Sequence, residues 1–148
     1  ITARAPSTFY SEPERVRRLF DDPVAIEKDY FARTGIFPIM HVIAIRREVY
    51  DRNRWIAQSL MKAFQQAKER TYTQLLVSAS LKTMLPWQIA AVEDTMAVMG
   101  RDWWPYGVEP NRTVLETFLR YHNEQGLSAR KLNIDEMFAP ETFSEFRI

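Results

Sequence analysis

The chain has 148 residues, 46% of them apolar and 26% charged, with no cysteine and a formal net charge of +1. That length supports one domain, and nineteen aromatic side chains are too many for a disordered segment. Near-neutral charge argues against nucleic acid or anionic lipid as a general partner, and the absence of Cys excludes disulfides, thiol nucleophiles and Cys-ligated zinc.

Ile1 to Pro6 reads as the end of a strand closed by Pro6. Glu14 to Phe20 and Pro23 to Arg33 read as short helices, the second opened by Pro23 and stopped by Gly35. The arginines at 15, 17 and 18, and at 46 and 47, read as solvated faces. Ile39 to Ile45 is the one strong strand candidate. Its sequence is apolar on both alternating faces, as in a central strand covered on both sides. The longest apolar run, Ile36 to Ile45, is about half a membrane span and contains Pro38 and His41.

Arg54 to Arg70 is a clear helix, with Ile56, Leu60, Ala63, Phe64 and Ala67 on one stripe and Asp51 or Asn53 as its cap. Leu75 to Leu81 fits either helix or strand. Pro86 can open a helix that Gly100 closes, with Ile89, Val92, Met96 and Met99 on a shared face. Asp102 to Arg112 is an aromatic loop containing Trp103, Trp104 and Tyr106. Such a loop clamps onto the core or walls an aromatic ligand. Thr113 to Gln125 is an amphipathic helix with Val114, Phe118 and Tyr121 inward and Gly126 as its stop. A short helix is expected near Asp135 to Phe138, before an irregular tail.

These elements leave a contradiction. A doubly buried strand needs neighbours on both edges, and sheets average about five or six strands. One convincing strand among five or so helices does not close a core. The expected resolution is that the rest of the sheet lies outside this chain, or that a second copy supplies it. The first residue is not Met, so the gene product is expected to start upstream. No basic-then-apolar signal opens the chain.

Few residues carry obvious chemistry. His41, inside the strand candidate, is either a hydrogen-bonded core histidine or a proton donor at the mouth of a cleft. His122, between Tyr121 and Asn123 on a helix, reads as packing or surface. The two histidines are too far apart in sequence for a local metal motif, and neither a Gly-rich phosphate loop nor a nucleophile elbow is present. Arg4, a charge amid small residues, is either a surface arginine or the holder of a carboxylate.

Five motifs in order carry a resemblance. They are Ala3-Arg4-Ala5-Pro6, Thr34 through His41, Leu85-Pro86-Trp87, Trp104 through Glu109, and Leu119-Arg120-Tyr121. Together they resemble the 4,5-dihydroxyphthalate decarboxylase family across nearly the whole chain. The resemblance implies an α/β fold: the helix-rich C-terminal part of a periplasmic-binding-protein-like, type two, two-lobe architecture with an incomplete sheet. Family chains are about twice this length, so residues 1–148 are expected to form one C-terminal segment whose missing partner is the N-terminal half. The implied reaction is non-oxidative loss of one carboxyl group from 4,5-dihydroxyphthalate to give protocatechuate, in aromatic catabolism. No cofactor and no metal is expected. Residue chemistry then suggests His41 as catalytic proton donor, Arg4 on a substrate carboxylate, and Trp87 or Tyr106 stacked on the ring. The partner is a small aromatic carboxylate, with no nucleic acid or membrane, and with a homo-oligomer as an option. A cytoplasmic enzyme is expected; a periplasmic solute receptor of an ABC-type transporter, with the same fold and no catalysis, is the alternative.

Overall fold

The computed structural model describes residues 4–143. Seven α-helices follow one another among these residues: α1 (Ser7–Ser11), α2 (Pro23–Thr34), α3 (Arg47–Arg52), α4 (Trp55–Leu75), α5 (Gln88–Met99), α6 (Arg112–Glu124) and α7 (Ile134–Met137). Two 3-10 turns, Glu109–Asn111 and Pro140–Thr142, complete them.

Local chemistry explains most helix boundaries. Asp22 caps α2 by accepting from the Ala25 N–H at 3.0 Å, Pro23 fills the first turn, and Gly35 ends the helix at φ 66°. Asn133 caps α7 in the same way, from the Asp135 N–H. The expected cap of α4 is Asp51 or Asn53, and neither fills that role. Asp51 lies inside α3, and Asn53 is that helix's C-cap, with its Nδ2 donating to the Val49 carbonyl. The Glu14–Phe20 helix is also absent; the chain there forms turns and bends. Its only aliphatic anchors are Val16 and Leu19, too few to offset the cost of nucleating so short a helix. A shorter helix, α1, forms just before it. Of the expected N-terminal strand, residues 1–3 lie outside the described region and Arg4 to Pro6 form no strand.

α2 lies against α5, tied by an ion pair between Lys28 and Asp94. α4 meets α3, α5 and the 3-10 turn at Pro140. Tyr50 of α3 donates to Glu141 Oε2 at 2.6 Å, which anchors that turn. Along α5 the expected face holds: Val92 is buried, with Ile89, Met96 and Met99 partly so. Beside it, Gln88 is buried and satisfied, donating to the Leu75 carbonyl at 2.9 Å and accepting from Thr83 Oγ1 at 2.5 Å. The core of the C-terminal region is Val108, Leu119 and Ile134, with Leu115, Leu132, Phe138 and Phe143 packed around them. α6 therefore turns Leu115 and Leu119 inward, and Phe118 and Tyr121, expected to be inside, are exposed. The two faces lie about one residue apart around the helix, so an aromatic stripe beside an aliphatic one does not say which is buried.

The central strand is not formed. Residues 35–46 have no regular structure, and from Phe37 to Ile45 no backbone–backbone hydrogen bond is made among the described residues. The side chains face solvent, with Met40 61%, Val42 67% and Ile43 61% exposed. No strand occurs among the described residues, so the α/β expectation is corrected to a helical chain there. The physical reason is the one the sequence raised: a strand whose both faces are apolar gains nothing without neighbours to pair its backbone and cover its sides. The accessible surface, 12291 Å², measures the same deficit. A compact monomer of this mass exposes about 7,900 Å². No described helix is long and apolar enough to cross a membrane.

Candidate functional site

An aromatic-lined concavity lies between the second half of α4 and the loop that follows α5. It holds about 340 Å³ and is lined by Phe64, Lys68, Tyr72, Trp103, Trp104 and Tyr106, with Ala67, Thr71 and Leu75 at its base. A hollow of similar volume near Phe9 and Arg18 has no buried side chain in its lining and sits on the irregular segment after α1.

The spacing along α4 creates the floor. Ala57 and Lys68 are its buried residues, three turns apart and therefore on one face. Lys68 is a charged residue in an otherwise apolar stripe. Its side chain is only 5% exposed, and its Nζ donates to Asp102 Oδ1 at 2.7 Å. The ammonium also lies 5.0 Å from the Tyr106 ring centroid and 5.5 Å from that of Tyr72. Both distances fall within cation–π range.

Tyr72 fixes the loop to the helix. Its hydroxyl donates to Asp102 Oδ1 at 2.9 Å and accepts the Trp104 backbone N–H at 2.8 Å. Its ring stacks on Trp103, centroids 4.1 Å apart and planes 29° from parallel. Burial first, and the hydrogen bond to Asp102 second, push the phenol above its usual value of 10. The stability contributed by the protonated phenol is therefore complete below about pH 10 and is lost only as the pH rises beyond that, toward the raised folded value. Asn111 Nδ2 donates to the carbonyls of Pro105 and Gly107, both at 2.8 Å, and closes the turn. Gly107 adopts φ 98°, a conformation that side-chain-bearing residues rarely take, and this bend returns the chain toward Met61 of α4.

This network makes a direct prediction. Tyr72→Phe keeps the stacked ring but removes one donor and one acceptor, leaving the Trp104 N–H without its partner. Unfolding free energy is expected to fall by about 1–2 kcal/mol. Tryptophan emission is expected to shift red as Trp104 loosens. Unchanged stability and unchanged emission would show that the phenol does not hold the loop.

The sequence-derived candidates fall in separate places. Tyr106 lines the cavity, and 38% of it remains exposed. Trp87, 80% exposed, is the N-cap residue of α5, and it does not line the cavity. Arg4 is exposed at the start of the described residues. His41 is exposed within the irregular segment, so the core-histidine reading does not hold in this chain. One contact connects that segment to the cavity: Phe37, four residues before His41, packs against Trp104 with ring centroids 5.8 Å apart. His122 packs beside Phe118 at 5.6 Å, as the packing reading expected, with its Nδ1 buried and unpartnered among the described residues. No group of three or more His, Asp or Glu side chains suited to a metal lies together among the described residues.

Lys68 and Tyr72 were not singled out from the sequence. A signal existed for Lys68: it lies four residues after Phe64 and next to Ala67, on the stripe already marked as apolar. The stripe is exposed at Ala63, Phe64 and Ala67, but the lysine on it is buried and needs a partner, and Asp102 is that partner.

No protein-family model matches the chain. The chain is 33% identical, over all 148 of its residues, to the 4,5-dihydroxyphthalate decarboxylase of Comamonas testosteroni. It spans 45% of that protein's length. The resemblance read from the ordered motifs is borne out by this match.

Proposed function

We propose that the chain is part of a carboxy-lyase that removes one carboxyl group from an aromatic dicarboxylate, with 4,5-dihydroxyphthalate as the first substrate to test. The observation that carries this reading is the 33% identity to a decarboxylase of that name across the whole chain. The aromatic cavity supports it, since a flat ring suits walls of indole and phenol. We also read residues 1–148 as the C-terminal segment of a two-lobe, periplasmic-binding-protein-like protein. The relative's greater length supports this reading, and further chain would supply strands beside residues 36–45.

The chemistry needs little machinery. Each carboxylate of 4,5-dihydroxyphthalate has a hydroxyl para to it. Its oxygen pushes electron density to the carbon that bears the carboxylate, and that carbon takes a proton. The bond to the carboxylate then breaks, its electron pair restores the aromatic ring, and carbon dioxide leaves. The protein must hold one carboxylate, desolvate the other and deliver the proton. Arg4 suits the first task and His41 the last, with Trp87 or Tyr106 against the ring. On this reading the protein works in the cytoplasm.

The test is incubation of the complete gene product with 4,5-dihydroxyphthalate, following carbon dioxide and the catechol product. Stoichiometric release of both is expected. Tight binding of the compound without carbon dioxide release would favour a solute receptor and overturn the enzyme reading.

A further inference from the structure

Lys68 is a cost that the fold tolerates. Taking an ammonium out of water costs several kcal/mol unless its donors are met. Lys68 has three donors and one oxygen partner among the described residues, Asp102, which is itself 53% exposed. The rest of its surroundings are the rings of Tyr72 and Tyr106. An ion pair serving only to hold the loop does not need the lysine end buried in an aromatic cavity, since Tyr72 and Asn111 already fix that loop.

We propose that the cavity between α4 and the aromatic loop binds a planar aromatic carboxylate, its ring against Trp104 and Tyr106 and its carboxylate on Lys68 Nζ. The volume, about 340 Å³, fits a substituted benzene ring and lies at the small end of ligand cavities. The walls are preset by the hydrogen bonds to Tyr72 and Asn111 and by the turn at Gly107, so binding orders little that is free. Aromatic walls alone would also suit a cation; here the charge that faces them is the Lys68 ammonium, while its partner Asp102 is not part of the lining. A lone lysine is a point charge that takes carboxylate or phosphate alike. The lining by itself selects an anion with a flat apolar body; that the anion is a carboxylate rests on the decarboxylase reading above. A vicinal dicarboxylate carries two anionic groups. Lys68 is thus a second cation beside the one proposed at Arg4, and the one placed to orient the ring.

The test uses the complete gene product and phthalate, which lacks the hydroxyls and does not react. Titration is followed by calorimetry and by quenching of tryptophan emission. Wild type is expected to bind phthalate. Lys68→Met is expected to weaken binding at least tenfold, Lys68→Arg to stay within a few-fold, and Trp104→Ala to weaken it as well. Neutral phthalamide should bind wild type and Lys68→Met alike. Because Lys68→Met leaves Asp102 without its cation, the pair Lys68→Met with Asp102→Asn is measured too. Lys68→Gln replaces either where thermal melting shows that it has not folded. With 4,5-dihydroxyphthalate as substrate, the lysine variants should raise KM more than they lower kcat. Wild-type phthalate affinity in both Lys68→Met and the double variant overturns the site. The two proposals fail separately. Decarboxylation with a KM indifferent to Lys68 keeps the enzyme and removes this site. Lys68-dependent phthalate binding with no decarboxylation keeps the site and removes the enzyme.

Discussion

Replacing His41 by Asn in the complete gene product is expected to lower kcat on 4,5-dihydroxyphthalate by about 10²–10⁴-fold, with a much smaller change in KM. The step at issue is protonation of a ring carbon, which needs an acid whose proton is available near neutral pH. Imidazole has that property and a carboxamide does not. Asn keeps hydrogen-bonding capacity, so the substitution separates proton transfer from simple polar contact. In the complete protein residues 36–45 gain neighbouring strands on the reading above, so a thermal melt of the variant accompanies the kinetics and separates a packing defect from lost proton transfer. Wild-type turnover in His41→Asn would remove His41 from the mechanism and leave proton delivery to another group.

The second large effect concerns association. Produced as the 148-residue polypeptide, the chain is expected to self-associate at micromolar concentration and to bind an apolar dye strongly. Its accessible surface of 12291 Å² exceeds that of a compact monomer of equal mass by roughly half. Large exposed apolar side chains lie close together in sequence at Ile39, Met40, Val42 and Ile43 and at Met84, Leu85 and Trp87. A standard protein interface buries only about 1,600 Å², so the surplus is enough for more than one such contact. Sedimentation velocity and dye fluorescence make the measurement. A compact dilute monomer with a sharp, high thermal transition would contradict it.

What the sequence made legible was what local rules decide. Pro23 and Gly35 bracket α2, and Gly100 and Gly126 stop α5 and α6, because first-turn prolines and positive-φ glycines act within a few residues. The face of α5 was readable because the large residues Ile89, Val92, Met96 and Met99 recur at helical spacing. In α6 two apolar stripes compete, and only the positions of Val108 and Ile134 select Leu119 over Phe118. Residues 39–45 show the limit most clearly. Their pattern specifies a strand buried on both faces, but a strand is a relation between segments, and no described segment pairs with this one. The site divides in the same way. Tyr106 was readable as an aromatic in a costly place. Lys68 and Tyr72 acquire meaning only when Asp102 closes on them from 34 and 30 residues away.

The unpaired run from Phe37 to Ile45 also governs how the chain comes apart. A protease needs a length of backbone free of hydrogen bonds that can be drawn out into its cleft, and helices deny it one. Here nine consecutive residues make no backbone–backbone hydrogen bond among the described residues, and Arg46 and Arg47 stand at their end. A cut there separates α1 and α2 from everything that follows. Among the described residues, the contacts that span such a cut include the α2–α5 contact with its Lys28–Asp94 pair and, where the cut falls after Phe37, Phe37 against Trp104. The covalent chain, more than its packing, is what makes the two parts one molecule.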